Sequence, residues 1–243
     1  MRINTKHVFI TGTDTGVGKS IFSAFLALYW HSQEKRVVIS KPIQTGSEKD
    51  TDFLSVLTEK KIPIFNTYSF NLPAAPAIAA QYENKKIDKE KIIMDIKKLE
   101  QEFEYVIVEG IGGIAVPLSF LRKQGSSNLN KTSNMDSHFN GNDMYLVADL
   151  IKDLNYPAII VARPSLGTIN HTALTIDFAK QRKLNILGFV VSGYDENTND
   201  PVIKTAPDVI QEITSVRCLT KLPLLKKVDS KSLEACLPWQ ITV

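Results

Sequence analysis

The run Val8-Phe9-Ile10 leads directly into Thr11-Gly12-Thr13-Asp14-Thr15-Gly16-Val17-Gly18-Lys19-Ser20, and then into a segment whose apolar residues Ile21, Phe25 and Leu28 recur at helical spacing. A strand, a glycine-bearing turn and a helix in that order form a cradle for phosphate. Glycines let the backbone turn its N–H groups toward anionic oxygens, and the helix N-terminus adds positive potential. In such a cradle Lys19 reaches the β/γ-phosphates of a nucleotide and Ser20 offers its hydroxyl to Mg²⁺. The spacing departs from the usual GxxxxGK[ST], because Thr13 fills the first glycine position and Gly12 stands one residue earlier. A turn that merely caps a helix has no need of Lys followed by Ser, so the nucleotide reading is preferred.

The rest of the chain repeats the alternation. Val37-Val38-Ile39, Tyr105-Val106-Ile107-Val108, Ala158-Ile159-Ile160-Val161, Ile186 to Val191 and a last stretch around Leu219 to Leu222 are strand-like. Between them Ile92, Ile96, Leu99 and Phe103, and then Ile169, Ala173 and Ile176, mark helices with one apolar face. Thr205-Ala206-Pro207-Asp208 resembles a helix start, with a hydroxyl cap and Pro in the first turn. This pattern predicts an α/β fold: a doubly wound, mostly parallel sheet with helices on both faces, of the P-loop NTPase type. At 243 residues it is expected to be one domain. Two stretches break the rhythm. Residues 119–143, rich in Ser, Asn, Lys and Gly, are expected to form a mobile insertion, and Gly193 to Asp200 a surface connection.

Composition excludes several classes. With 43% apolar and 23% charged residues the chain has ample core material. Its longest mostly apolar run, Ile21 to Trp30, is far shorter than the roughly 18 residues of a membrane span, and the start lacks a secretion signal. No membrane partner and a cytoplasmic location are therefore expected. A net charge of +3, with the basic residues scattered, gives no nucleic-acid surface. Cys218 and Cys236 have no metal or disulfide spacing and are taken as buried or incidental thiols.

Three separated motifs, TGTDTGVGKS at 11–20, KPIQTGSE at 41–48 and VEGIGGIAVPL at 108–118, resemble the dethiobiotin synthetase family, ATP-dependent ligases of biotin synthesis. SLGTINH at 165–171 and the pair Leu222-Pro223 extend the likeness more weakly. The resemblance implies that diaminopelargonic acid is carboxylated by CO₂ or bicarbonate on an amine, that ATP phosphorylates the carbamate, and that the second amine closes a ureido ring. It also implies a homodimer whose substrate site uses both subunits. Nucleotide contacts are implied for Thr13, Thr15, Gly16, Val17, Gly18, Lys19, Ser20, Ile21, Gly110 and Gly112. Lys19 and Lys41 would be the catalytic cations, with Lys41 at a strand end holding a carbamate or the moving phosphoryl oxygens. Thr45, Gly113, Pro117 and Leu118 would contact substrate, and Ala74-Ala75-Pro76 would line its tail, although a turn hydroxyl at 45 and a plain Pro-rich turn at 74–76 compete as readings. Ser20, Asp52 and Glu109 match the family's metal positions. Glu109 follows a strand at the carboxyl edge, where open α/β sheets bind ligands. Asp52 is preferred over Asp50, two residues away.

Two features depart from the family. Its strand after GTINH ends in Asn, which contacts the purine, whereas Ser192 stands at that point here. A hydroxyl cannot present the paired donor and acceptor of a carboxamide. Either Ser192 makes a weaker contact, or main-chain groups around Leu222, Pro223 and Leu224 contact the base, or discrimination among nucleoside triphosphates is relaxed. Second, about 30 residues separate Leu118 from Asp149, longer than the family's usual bridge, so an inserted loop is expected. Decoration is preferred for it over a lid. Two rival functions are weighed. A cobyrinic-acid-synthase-like amidation domain would be fused to a glutaminase unit with a nucleophilic Cys, for which 243 residues leave no room. A nucleotide switch or partitioning ATPase would carry its signature Lys where Asp14 stands, and has no use for Lys41 or the EGxGG run.

Overall fold

The computed structural model describes residues 5–120 and 144–236. In chain order its strands are β1 (His7–Gly12), β2 (Val37–Ser40), β3 (Ile43–Gln44), β4 (Ile64–Phe65), β5 (Tyr68–Ser69), β6 (Tyr105–Glu109), β7 (Pro117–Phe120), β8 (Met144–Leu146), β9 (Ala158–Ala162), β10 (Ile186–Tyr194) and β11 (Cys218–Pro223). The helices are α1 (Lys19–Ser32), α2 (Asp50–Leu57), α3 (Pro76–Tyr82), α4 (Lys89–Glu102), α5 (Val147–Leu154), α6 (Thr168–Gln181), α7 (Pro201–Thr214) and α8 (Ser230–Ala235). Seven strands form one sheet in the order β11-β10-β9-β1-β6-β2-β4, every pairing parallel.

Strands buried on both faces must be apolar at every position, not at alternate ones. In β1, Val8 and Ile10 join α1's Phe22 and Phe25 in one cluster. Phe9, between them, joins Ile92 and Ile96 of α4 and Leu150 and Ile151 of α5 in the other. Ile160, Phe189 and Val191 pack with Ile176 of α6 and Ile210 of α7 in a third. The doubly wound α/β sheet is therefore as predicted. Strand order matters for chemistry, because β1, β6 and β2 are neighbours and their carboxyl ends lie side by side.

The predicted start of a helix at Thr205 is corrected. α7 begins at Pro201, with the Asp200 carboxylate accepting the Val202 N–H at 2.8 Å. Thr205 lies inside it, its hydroxyl donating to the Pro201 carbonyl at 2.7 Å, and Pro207 is interior. The Gly193–Asp200 connection is shorter than expected, since β10 continues through Tyr194. The break at residue 119 is corrected as well. Ser119 and Phe120 complete β7, which pairs antiparallel with β8. The rest of the predicted insertion, 121–143, lies outside the described residues, and so do both readings of it. Among the described residues no helix is long and apolar enough to cross a membrane.

The placement of this helix start predicts that Asp200→Ala lowers stability by about 1 kcal/mol, the usual cost of removing an N-cap acceptor, while Thr205→Ala changes it by less than about 0.5 kcal/mol. Urea unfolding of the two variants measures both.

Candidate active site

Glu109 ends β6, fully buried. Its Oε1 accepts from the Ser20 hydroxyl at 2.8 Å and from the Lys41 ammonium at 2.8 Å. Ser20 sits in the first turn of α1, which follows β1, and Lys41 follows β2 directly. Because β1, β6 and β2 are adjacent, the phosphate loop, the acid and the second lysine converge without long excursions of chain. Lys41 is anchored on both sides. Its N–H donates to the Phe65 carbonyl at 2.8 Å and its carbonyl accepts from the Asn66 amide at 2.7 Å. Its ammonium also donates to the Gly110 carbonyl at 2.9 Å and pairs with Asp50 Oδ2 at 2.7 Å.

Asp50 is placed by ties at the start of α2. The Gln44 side chain at the end of β3 accepts from the Thr51 N–H and donates to the Thr51 hydroxyl, each at 3.2 Å. The Lys49 ammonium donates to the carbonyls of Gly46 and Phe70 at 2.6 and 2.8 Å. Lys19 is 7% exposed and donates to the Asp14 carbonyl at 2.8 Å. Burial, and then the charge of nearby Lys41, push the Lys19 ammonium down to about 8. Burial also opposes the charge on Lys41, but Glu109 and Asp50 outweigh it and hold its pKa above the ordinary lysine value.

These groups open onto a cavity of about 660 Å³ whose lining is part polar and part apolar. Thr15, Gly16, Gly18, Lys19, Ser20, Lys41, Thr45, Asp50, Glu109 and Gly112 make the polar lining. Ile21, Phe53, Pro73, Ala74, Ala75, Pro76, Ile111 and Val116 make the apolar lining. Gly18 takes φ 96, and a Cβ there would fall 2.3 Å from Ser192 Oγ, so the cradle needs glycine at that position. One buried oxygen, Glu109 Oε2, has no hydrogen-bond partner. A buried, unpartnered carboxylate oxygen is costly, and beside a serine hydroxyl and an open cavity it suits a hard cation such as Mg²⁺, which commonly takes one or two carboxylates and completes its shell with water and phosphate. Glu109, Ser20 and Asp50 are the residues that would hold it.

Several expected site residues fall elsewhere. Asp52 is exposed on α2 and stands outside the cavity, whereas Asp50 is in it, so the preference for Asp52 is corrected. Leu118 is 1% exposed, packed in the core, and Pro117 pairs with Leu146 of β8, so neither faces the cavity. Val17 is likewise a core side chain, leaving only its backbone for a ligand. Thr13 bonds through its N–H to the Val161 carbonyl, and Gly113 lies behind the loop, where a Cβ would approach the Thr13 carbonyl to 3.4 Å. Gly110 supplies its carbonyl to Lys41 while its N–H pairs with Ile10. Ser192, 8% exposed, sits against Gly18, and Leu222, its partner in register, is a core residue. Pro223 follows, and only Leu224, 66% exposed, stands free. Phe53 and Ile111 were missed. Phe53 lies three residues after Asp50 on one helix face, a spacing that identifies it once Asp50 is chosen.

The family model described as "AAA domain" matches residues 6–122 and 134–232, and its break falls inside the stretch read as an insertion. The ATP-dependent dethiobiotin synthetase BioD of Bacillus licheniformis is 37% identical over 234 residues, spanning 91% of this chain and 87% of that one. The ATP-dependent dethiobiotin synthetase BioD of Thermodesulfovibrio yellowstonii is 34% identical over 231 residues, spanning 91% and 90%. Among solved structures, the MinC:MinD cell division protein complex of Aquifex aeolicus aligns with TM-score 0.56 over 94% of this chain and 86% of that one, at 12% identity, a likeness of fold alone. With the P-loop fold, the Ser20–Glu109–Lys41 cluster and these relatives together, the chain belongs to the ATP-dependent dethiobiotin synthetase family.

Proposed function

We propose that this chain makes dethiobiotin from diaminopelargonic acid, CO₂ and a nucleoside triphosphate in the cavity at the carboxyl ends of β1, β6 and β2. An amine of the substrate takes up CO₂ as a carbamate, a carbamate oxygen attacks the γ-phosphorus, and the second amine displaces phosphate from the mixed anhydride to close the ring. Such a sequence needs charge neutralisation and alignment more than a covalent nucleophile. The mixed lining of the cavity supports that reading, because the substrate has two amines at one end and a long aliphatic chain. The apolar lining of Phe53, Pro73, Ala75, Pro76 and Val116 suits the chain, and the polar lining suits the reacting end.

The phosphate loop would hold the β/γ-phosphates through its N–H groups and Lys19. Lys41 would stand between the transferred phosphoryl group and the carbamate. Glu109, Ser20 and Asp50 would hold Mg²⁺, which when bound offsets phosphate charge. The observation that carries the proposal is the convergence on Glu109 of Ser20 and Lys41, each at 2.8 Å. Thr45 would hydrogen-bond the diamine end. Ser192, packed against Gly18, offers only a hydroxyl beside the phosphate loop, so discrimination among nucleobases would be relaxed, with main-chain groups at the ends of β10 and β11 also able to contact the base. By resemblance to the family, the chain would act in the cytoplasm as a homodimer.

Incubation of the purified protein with diaminopelargonate, bicarbonate, Mg²⁺ and ATP is expected to yield dethiobiotin by mass, with phosphate release dependent on both the diamine and bicarbonate. Glu109→Gln and Asp50→Asn should lower kcat by about 100-fold and at least about 10-fold, in the range found for removing an electrostatic contact to a transition state, while Asp52→Asn stays within about twofold of wild type. Equal losses at 50 and 52 in steady-state assays would contradict the placement of Asp50. In a parallel comparison, measurable turnover is expected with CTP or GTP as well as ATP. Strict ATP dependence would contradict the account of Ser192.

A further inference from the structure

Lys41 is 1% exposed, and its ammonium has three acceptors: Glu109 Oε1 at 2.8 Å, Asp50 Oδ2 at 2.7 Å and the Gly110 carbonyl at 2.9 Å. A lysine ammonium has three hydrogens to donate. All are engaged by the protein, so in this state none is left for a phosphoryl or carbamate oxygen. The lysine also shares Glu109 Oε1 with Ser20, and these are two of the groups suited to the divalent cation. Glu109 Oε2 is unpartnered, and a divalent cation bound there would stand close to the Lys41 ammonium on Oε1, with a repulsion that a buried setting screens little. Asp50, its side chain 42% exposed at the start of α2, lines the same cavity and is open to an incoming cation.

We propose that Lys41 serves as the cation of Glu109 and Asp50 in the metal-free protein, and that a divalent cation entering on the unpartnered Glu109 Oε2 and on Asp50 releases the ammonium into the cavity. The lysine is thereby held idle until metal is bound, and the buried carboxylate is never left without a cation. No bond is made or broken in this exchange. It rests on the ligase reading for its use in catalysis, but not for its detection.

Binding of Mn²⁺ without nucleotide or substrate, followed by electron paramagnetic resonance, tests the exchange directly. Lys41→Met is expected to bind Mn²⁺ at least about tenfold more tightly than wild type, because the competing cation is gone. Lys19→Met, which removes a nearby charge held by the Asp14 carbonyl, is expected to tighten binding by less than about threefold. Unchanged or weaker binding in Lys41→Met, or equal tightening in both variants, would overturn the proposal. Should Lys41→Met fail to fold, the wild-type protein serves. Acetylation of Lys41 by acetic anhydride, read by peptide mass spectrometry, is expected to rise at least about fivefold when 20 mM Mn²⁺ is added. Acetylation at an unaltered rate would refute the exchange. If the ligase reading alone is wrong, the Mn²⁺ coupling persists while no dethiobiotin forms.

Discussion

A single buried carboxylate organises this molecule. Glu109 is fully enclosed at the end of the interior strand β6, and a charge in that position is tolerable only with partners. Ser20 and Lys41 supply them from the segments that follow the strands on either side, tying the phosphate loop to the end of β2 through one oxygen. Removing one member of such a buried pair typically costs about 3–5 kcal/mol, so the cluster fixes the geometry of the sheet edge as well as its chemistry. The other oxygen of Glu109 is left unpartnered beside the cavity. That arrangement serves function at the expense of stability, as is common at binding sites.

The fold makes the convergence possible. A parallel sheet brings every strand's carboxyl end to one edge, and the order that places β6 between β1 and β2 brings together residues 20, 41 and 109, far apart in the chain. The core on both faces holds those ends in place. Val8 and Ile10 face α1, and Phe9 faces α4 and α5, so the strand that feeds the phosphate loop is gripped from both sides. The cavity then owes its apolar lining to connections outside the main sheet, namely the start of α3 at Pro76 and the face of α2 that carries Phe53.

The parts of this design that were legible in the sequence are those encoded locally. The phosphate loop is contiguous, and Glu109 and Lys41 each follow an apolar strand run, so their positions at the sheet edge follow from the chain direction. Asp50 was less legible because a helix turns about 100° per residue, so residues 50 and 52 point about 200° apart, and only the ties of Gln44 to Thr51 set which one faces inward. Leu118 was misread for a related reason. β7 pairs with β8, a partner that begins only at Met144, and that pairing turns Leu118 into the core. Ser192 was placed near the base by resemblance alone, as the residue that stands where the family has Asn, and the approach of β10 to the phosphate loop sets it against Gly18. The start of α7 falls at Asp200-Pro201 and not at Thr205-Ala206-Pro207, because the Asp200 carboxylate takes the Val202 N–H and Ala206 is buried within the helix.

A crystal structure of the protein with Mg²⁺, a non-hydrolysable ATP analogue and diaminopelargonate tests the central claim most directly. The account predicts the metal on Glu109, Ser20 and Asp50, the γ-phosphate between Lys19 and Lys41, and the aliphatic chain of the diamine along Phe53 and Ala75. Nucleotide and diamine in separate pockets, or a metal bound away from Glu109, would contradict it.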